Sequence, residues 1–136
     1  MGRKLTDKTA PDKLQAKRLI KAEVVFKVAL EDNIDKKYCF SKLKENHIKT
    51  FQRFLDQTVY KQLTISETDN LFLRTKGNKK CMQKIGGIER EVVHYGKDRN
   101  PFRVHGYFNN DGYFVIYKID PSHNVHKEWK ESESSF

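Results

Sequence analysis

Cysteine is scarce in this chain of 136 residues, and its two copies, Cys39 and Cys81, stand too far apart for a zinc or redox motif. They are expected as free thiols, buried or partly buried, in a reducing cytoplasm. No apolar run approaches the length that crosses a bilayer, and no apolar signal region stands near the N-terminus, so no membrane partner is expected. The opening Met-Gly-Arg-Lys-Leu-Thr formally fits a myristoylation pattern at Gly2 and Thr6. A glycine-rich phosphate loop is missing, because Gly86-Gly87 lacks the spacing, and so is a serine nucleophile elbow. No internal repeat is visible.

What is present is positive charge. A formal net charge of +9 and a pI near 9.5 favour a polyanionic partner, and 37% hydrophobic content suffices for one modest core. Residues 1–22 carry seven Lys or Arg against two Asp. Residues 74–84 hold Arg74, Lys76, Lys79, Lys80 and Lys84 with no acidic residue, a compact block suited to phosphate contact. A solvated lysine face is the competing reading for the N-terminal block.

Along the chain, residues 1–12 read as a polar arm, and 12–22 as a short basic helix with Asp12 at its N-cap. Residues 24–30 alternate as a mostly buried strand. Residues 41–59 form an amphipathic helix through Leu43, Phe51, Phe54, Leu55 and Val59, with Ser41 as cap. His47 lies near that stripe as a packed or surface imidazole. Residues 64–70 read as a turn or short helix with Ser66 as N-cap, and 88–95 as a strand. The tail from residue 127 is expected to fray. Three parts follow: a basic arm and helix over 1–22, a domain over 23–126 and a tail over 127–136.

The strongest local pattern runs from Phe102 to Ile119, where two aromatic and β-branched runs flank Asp111-Gly112, a pair suited to a tight hairpin turn. Pairing Tyr113 with Asn110 or with Phe108 gives one parity: Phe102, Val104, Phe108, Tyr113, Val115, Tyr117 and Ile119 share the core face. Arg103, His105, Tyr107 and Lys118 then lie on the other face with Phe114 and Ile116, a candidate RNA-facing surface. The fold class expected is α+β: a small antiparallel twisted sheet with an N-terminal strand, and one long plus one or two short helices packed on one side. The opposite side is expected to be open.

The element order, the basic connection and the Phe102-Arg103-Val104 start of the hairpin resemble the RelE/ParE superfamily of bacterial toxins over residues 23–126. The resemblance implies a small basic domain that either cuts messenger RNA in the ribosomal decoding site or poisons DNA gyrase, and that a cognate antitoxin neutralises. It implies that Arg103 meets the scissile phosphate, that Lys79 and Lys80 grip the RNA backbone, and that His123, with His126 nearby, serves as acid or base. The basic N-terminal extension and the Ser/Glu-rich tail depart from the family pattern.

Metal-free RNA cleavage needs a base for the 2′-hydroxyl proton, cations at the phosphate and an acid for the 5′-oxygen. Candidate catalytic groups are Arg103, His123, His126 and His105, since imidazole titrates near neutrality and guanidinium forks onto phosphate. Candidate RNA-binding groups are Arg74, Lys76, Lys79, Lys80, Lys84, Tyr107 and Lys118, with Tyr107 able to stack on a base. No cofactor is expected. His123 and His126 have His-x-x-His spacing, but Pro121 and the absence of an assured third ligand argue against a metal. Competing structural readings pair Arg103 with Asp120 across the strands, use His123 to stabilise a turn and let Asp120 cap the following loop. Two functional alternatives remain open: a noncatalytic nucleic-acid-binding or regulatory domain of phage or mobile-element type, and a toxin-like domain inhibiting gyrase or another protein.

Overall fold

A computed structural model describes residues 20–32, 34–75 and 81–123. The N-terminal arm, most of the basic helix expected over 12–22, Lys76, Lys79, Lys80, His126 and the tail from residue 127 lie outside the described residues.

Phe26 is the centre around which the described chain folds. It is fully buried and meets the rings of Phe54, Tyr95, Phe108 and Phe114 at centroid distances of 5.3–6.4 Å. Aromatic pairs of this kind contribute roughly 0.5–1.5 kcal/mol each beyond the area they bury. The alternation expected over 24–30 is present in burial, with Phe26 inside and Val25 and Lys27 exposed. Only Val28–Ala29 forms a ladder strand, β1. Its predecessors pair instead with the segment before the second helix, through Phe26 N to Leu63 O at 2.8 Å and Ile65 N to Val24 O at 2.9 Å.

Two 3₁₀ turns, Lys36–Tyr38 and Phe40–Lys42, precede helix α1, Glu45–Gln57. The helix starts later than the Ser41 cap implies, because the Lys44 amide donates to His47 Nδ1 at 3.0 Å and Ser41 Oγ is taken by the Cys39 thiol at 3.0 Å. His47 is thus a capping residue. Helix α2, Ile65–Phe72, opens on Thr64 rather than Ser66: Thr64 Oγ1 accepts from the Glu67 amide at 3.2 Å, and Glu67 Oε1 accepts from the Thr64 amide at 2.8 Å. Phe51, Phe54, Leu55 and Val59 of the α1 region, with Ile65 and Phe72 of α2, cover one side of the main sheet.

The fold is α+β, as its sequence pattern indicates. Strands β2 (Met82–Ile85) and β3 (Ile88–Glu91) form a separate hairpin, and β4 (Val93–Tyr95), β5 (Arg103–Phe108) and β6 (Phe114–Asp120) join β1 in a sheet of order β1-β6-β5-β4. β4, β5 and β6 are antiparallel, whereas β1 runs parallel to β6, so the sheet is mixed.

Two details of the β5–β6 hairpin change which residues face the core. The Asn109 amide donates to Tyr113 O at 2.9 Å, so Asn110, Asp111 and Gly112 form a three-residue loop in which Gly112, at φ +83, takes the left-handed position. Phe108 therefore pairs with Phe114, and Phe114 and Ile116 point at the helices while Val115 points away. A bulge then skips Tyr117: Gly106 pairs with Ile116 and His105 with Lys118, which restores Ile119 to the core and leaves Arg103 opposite Asp120. The expected core positions Phe102, Val104, Phe108 and Ile119 are correct, whereas Tyr113, Val115 and Tyr117 exchange sides with Phe114 and Ile116.

The far side of the sheet is partly covered. The β2–β3 hairpin turns on Gly86-Gly87, both at positive φ (+61 and +82), and lays Ile85 and Val92 against Tyr107 and Val115. Part of the surface expected to be open is thus a second, smaller core.

Candidate functional site

Direct pairing of His94 on β4 with His105 on β5 stacks their rings, with centroids 4.9 Å apart and planes 27° from parallel. His123, just past β6, brings a third imidazole to 6.5 Å from His94. Its backbone sits at φ +61, a left-handed conformation that costs a non-glycine residue about 1–2 kcal/mol. Asp120, fully buried, leads into this turn by accepting from the Ser122 amide at 3.3 Å, which is the loop-capping role.

Cations ring these imidazoles. Lys118 is the cross-strand partner of His105, and Arg103 lies two residues before it on the same face, with Arg74 close enough to act on Arg103. Each is already engaged. Lys118 Nζ stands 3.9 Å from Asp35 Oδ2 and 5.2 Å from the centre of the Tyr38 ring. Arg74 Nε donates to Gly96 O at 3.0 Å, and its Nη2 to Leu71 O at 2.9 Å. Arg103 Nη1 donates to Phe102 O at 2.8 Å, to Lys97 O at 3.4 Å and to Asn100 O.

Arg103 thus departs from the expected phosphate contact. Its side chain is buried, and one terminal nitrogen gathers three carbonyls of the loop over 96–102. A Cβ at Gly96 would lie 2.6 Å from that nitrogen, so only glycine lets the guanidinium reach the loop. Burial, followed by the charge of Arg74, lowers the Arg103 pKa from its ordinary value, and Asp120 and Asp98 act in the opposite sense. Arg103 here is a positioning residue. Its Nε is buried with no hydrogen-bond partner among the described residues.

His105 also departs from its expected role, because it is only 6% exposed and cannot touch a substrate. Burial pushes its pKa well below the usual imidazole value, and the charges of His94, Lys118, His123 and Arg103 push it further. The folded protein therefore prefers neutral His105. The linked stability is complete above the unfolded pKa near 6.5 and is lost as pH falls from there toward the folded pKa. We expect the thermal midpoint of His105→Phe to be less sensitive to acid than that of the parent between pH 6.5 and 5. The contribution removed is about 1.4 kcal/mol per pH unit while only the unfolded state protonates. Parallel melting curves across that range check this, and equal slopes would contradict it.

Tyr107 offers no face to a base. It is 1% exposed, donates to Asp32 Oδ2 at 2.5 Å and lies under Arg90, whose guanidinium carbon is 4.5 Å from the ring centre. Burial, then the bond to Asp32, raise its pKa to about 12. Lys84 is exposed on β2 and lies opposite Glu89, a cross-strand arrangement of opposite charges.

The flanks of the lysine block are tied to the cluster. Thr75 Oγ1 accepts from the His94 amide at 2.9 Å and lies 3.2 Å from His94 Nδ1, while the Arg74 amide donates to His94 O at 2.9 Å. On the other side Cys81 O accepts from the Val92 amide at 2.8 Å. Lys76, Lys79 and Lys80 follow Thr75 and precede Cys81 in the chain.

Arg74, Arg103, His105, Lys118 and His123 are thus neighbours, and His94 is the group that sequence reasoning undervalued. Its signal was its position opposite His105, visible once β4 and β5 are paired. Asp32 and Arg90 were missed as well. The adjacent Gly86 and Gly87 between two four-residue runs were the clue to the hairpin that carries Arg90.

Comparison with known proteins finds no matching family model, no matching curated protein and no matching solved structure. Among the described residues no helix is long and apolar enough to cross a membrane, and no group of three or more His, Cys, Asp or Glu side chains is placed to hold a metal ion.

Proposed function

We propose that the protein is a toxin-like, RelE-like endoribonuclease that binds messenger RNA, with the ribosome as scaffold, and cleaves it at the His94–His123 edge of the sheet. The convergence of three imidazoles from separate stretches of chain, with His94 and His123 both half-exposed, carries this reading. One imidazole takes the 2′-hydroxyl proton as that oxygen attacks phosphorus. The other gives a proton to the 5′-oxygen as its bond to phosphorus breaks, leaving a 2′,3′-cyclic phosphate. Neutral His105 beneath His94 fixes the ring, and the lysine block beyond Thr75 supplies charge to the phosphate.

A second reading rests on the commitment of Arg103 to loop carbonyls, which removes the arginine expected at the scissile phosphate. In that reading the same edge binds RNA without cutting it. Mapping RNA ends in a translating extract separates the two. Cleavage expects new 2′,3′-cyclic phosphate ends at codon-phased positions. Intact RNA at protein concentrations that saturate binding would leave the noncatalytic reading.

A further inference from the structure

A cleft of about 170 Å³ opens on the helix side of the sheet, between α1 and the loop over 96–102. Phe54, Phe72 and Phe102 line it as an apolar floor. An apolar cavity near 150 Å³ admits one benzene-sized ring. At the mouth stand Arg53 and Lys97, both exposed, and no acidic residue lines the cleft. Arg53 Nη2 is steadied by Thr50 Oγ1 at 3.2 Å. Between floor and mouth lie two amides. Gln57 is half-buried, and Asn100 spends its Oδ1 on the Phe102 amide at 2.9 Å, which leaves its NH₂ as a donor.

We propose that this cleft is a binding site for a single pyrimidine nucleotide, its ring on the phenylalanine floor, its base edge against Gln57 and Asn100, and its phosphate at Arg53 and Lys97. A ring-sized floor selects one ring over two, the amides match the polar edge of a pyrimidine, and the two cations match a phosphate. The choice of nucleotide over other aromatic anions rests on the RNA reading above. The loop connects the two sites: the carbonyls that Arg103 Nη1 collects belong to Lys97, Asn100 and Phe102, which also line the cleft.

The test is calorimetric titration of the full chain with UMP, ribose 5-phosphate, inorganic phosphate and N-acetylphenylalanine. Saturable UMP binding is expected, at least tenfold tighter than either phosphate without a base, and weakened at least tenfold by Arg53→Glu and by Lys97→Glu. Both substitutions are at exposed positions, and circular dichroism reports whether each variant folds. UMP binding no tighter than ribose 5-phosphate, or unchanged in both variants, would overturn the proposal. So would tighter binding of N-acetylphenylalanine, which would indicate a peptide carboxylate instead. Should UMP bind as described while RNA leaves His94 and His123 unperturbed, the cleft stands and the imidazole site falls. The reverse result removes the cleft alone.

Discussion

Gly106→Ala is expected to destabilise the protein by at least about 3 kcal/mol, a large share of the total for a domain of this size. A Cβ at Gly106 would lie 2.1 Å from the Val115 carbonyl oxygen and 2.8 Å from Phe114 Cζ. Neither neighbour can yield. The carbonyl belongs to the central strand, and Phe114 is fully buried against Phe26 and Tyr95. The glycine also sits where the register shifts, so relieving the clash would mean moving the bulge and reversing the faces of Phe114 and Ile116. Urea denaturation gives the loss directly, and a change under about 1 kcal/mol would mean that β5 and β6 are not paired as described.

His123→Ala is expected to reduce RNA cleavage about 10²–10⁴-fold, the range for losing a general acid or base. RNA affinity should change little, because the proposed function assigns the phosphate charge to the lysine block. Stability should change little, since the ring is partly exposed and alanine meets the same left-handed backbone cost as other residues with a Cβ. The contrast is Arg103→Ala, which strips three loop carbonyls of their donor and should lower the melting midpoint first. An Arg103→Ala protein that melts like the parent would contradict the positioning role.

Much of this fold was legible where local chemistry decides it. The α1 stripe and the β5 alternation needed no tertiary help, because one buried face imposes its period on the sequence. The ends of α1 were less so: Lys44 and His47 make a cap that the preference for Ser at such positions hides. The faces of β6 were misread because the bulge depends on Tyr117 being skipped, although Gly106 in mid-strand marks the place. β2 was obscured by Lys84, whose charge mimics a loop, whereas the strand expected over 88–95 is present as β3 and β4, interrupted at Val92. The parallel pairing of β1 with β6 joins residues far apart in sequence and leaves no local trace.

The candidate site followed the same division. Arg103, His105 and Lys118 were placed on one face correctly, because their parity survives the bulge. Their burial was not foreseen, since it comes from the β2–β3 hairpin and from the loop that Arg103 itself closes. His94 gains its importance only through its cross-strand partner.

The most direct test is to record the imidazole resonances of the full chain during titration with a short RNA in the presence of EDTA. The expected result is that the rings of His94 and His123 shift together and saturably, while His47, bound to its own helix cap, stays still. RNA binding that leaves both rings unmoved and perturbs only other residues would contradict the account.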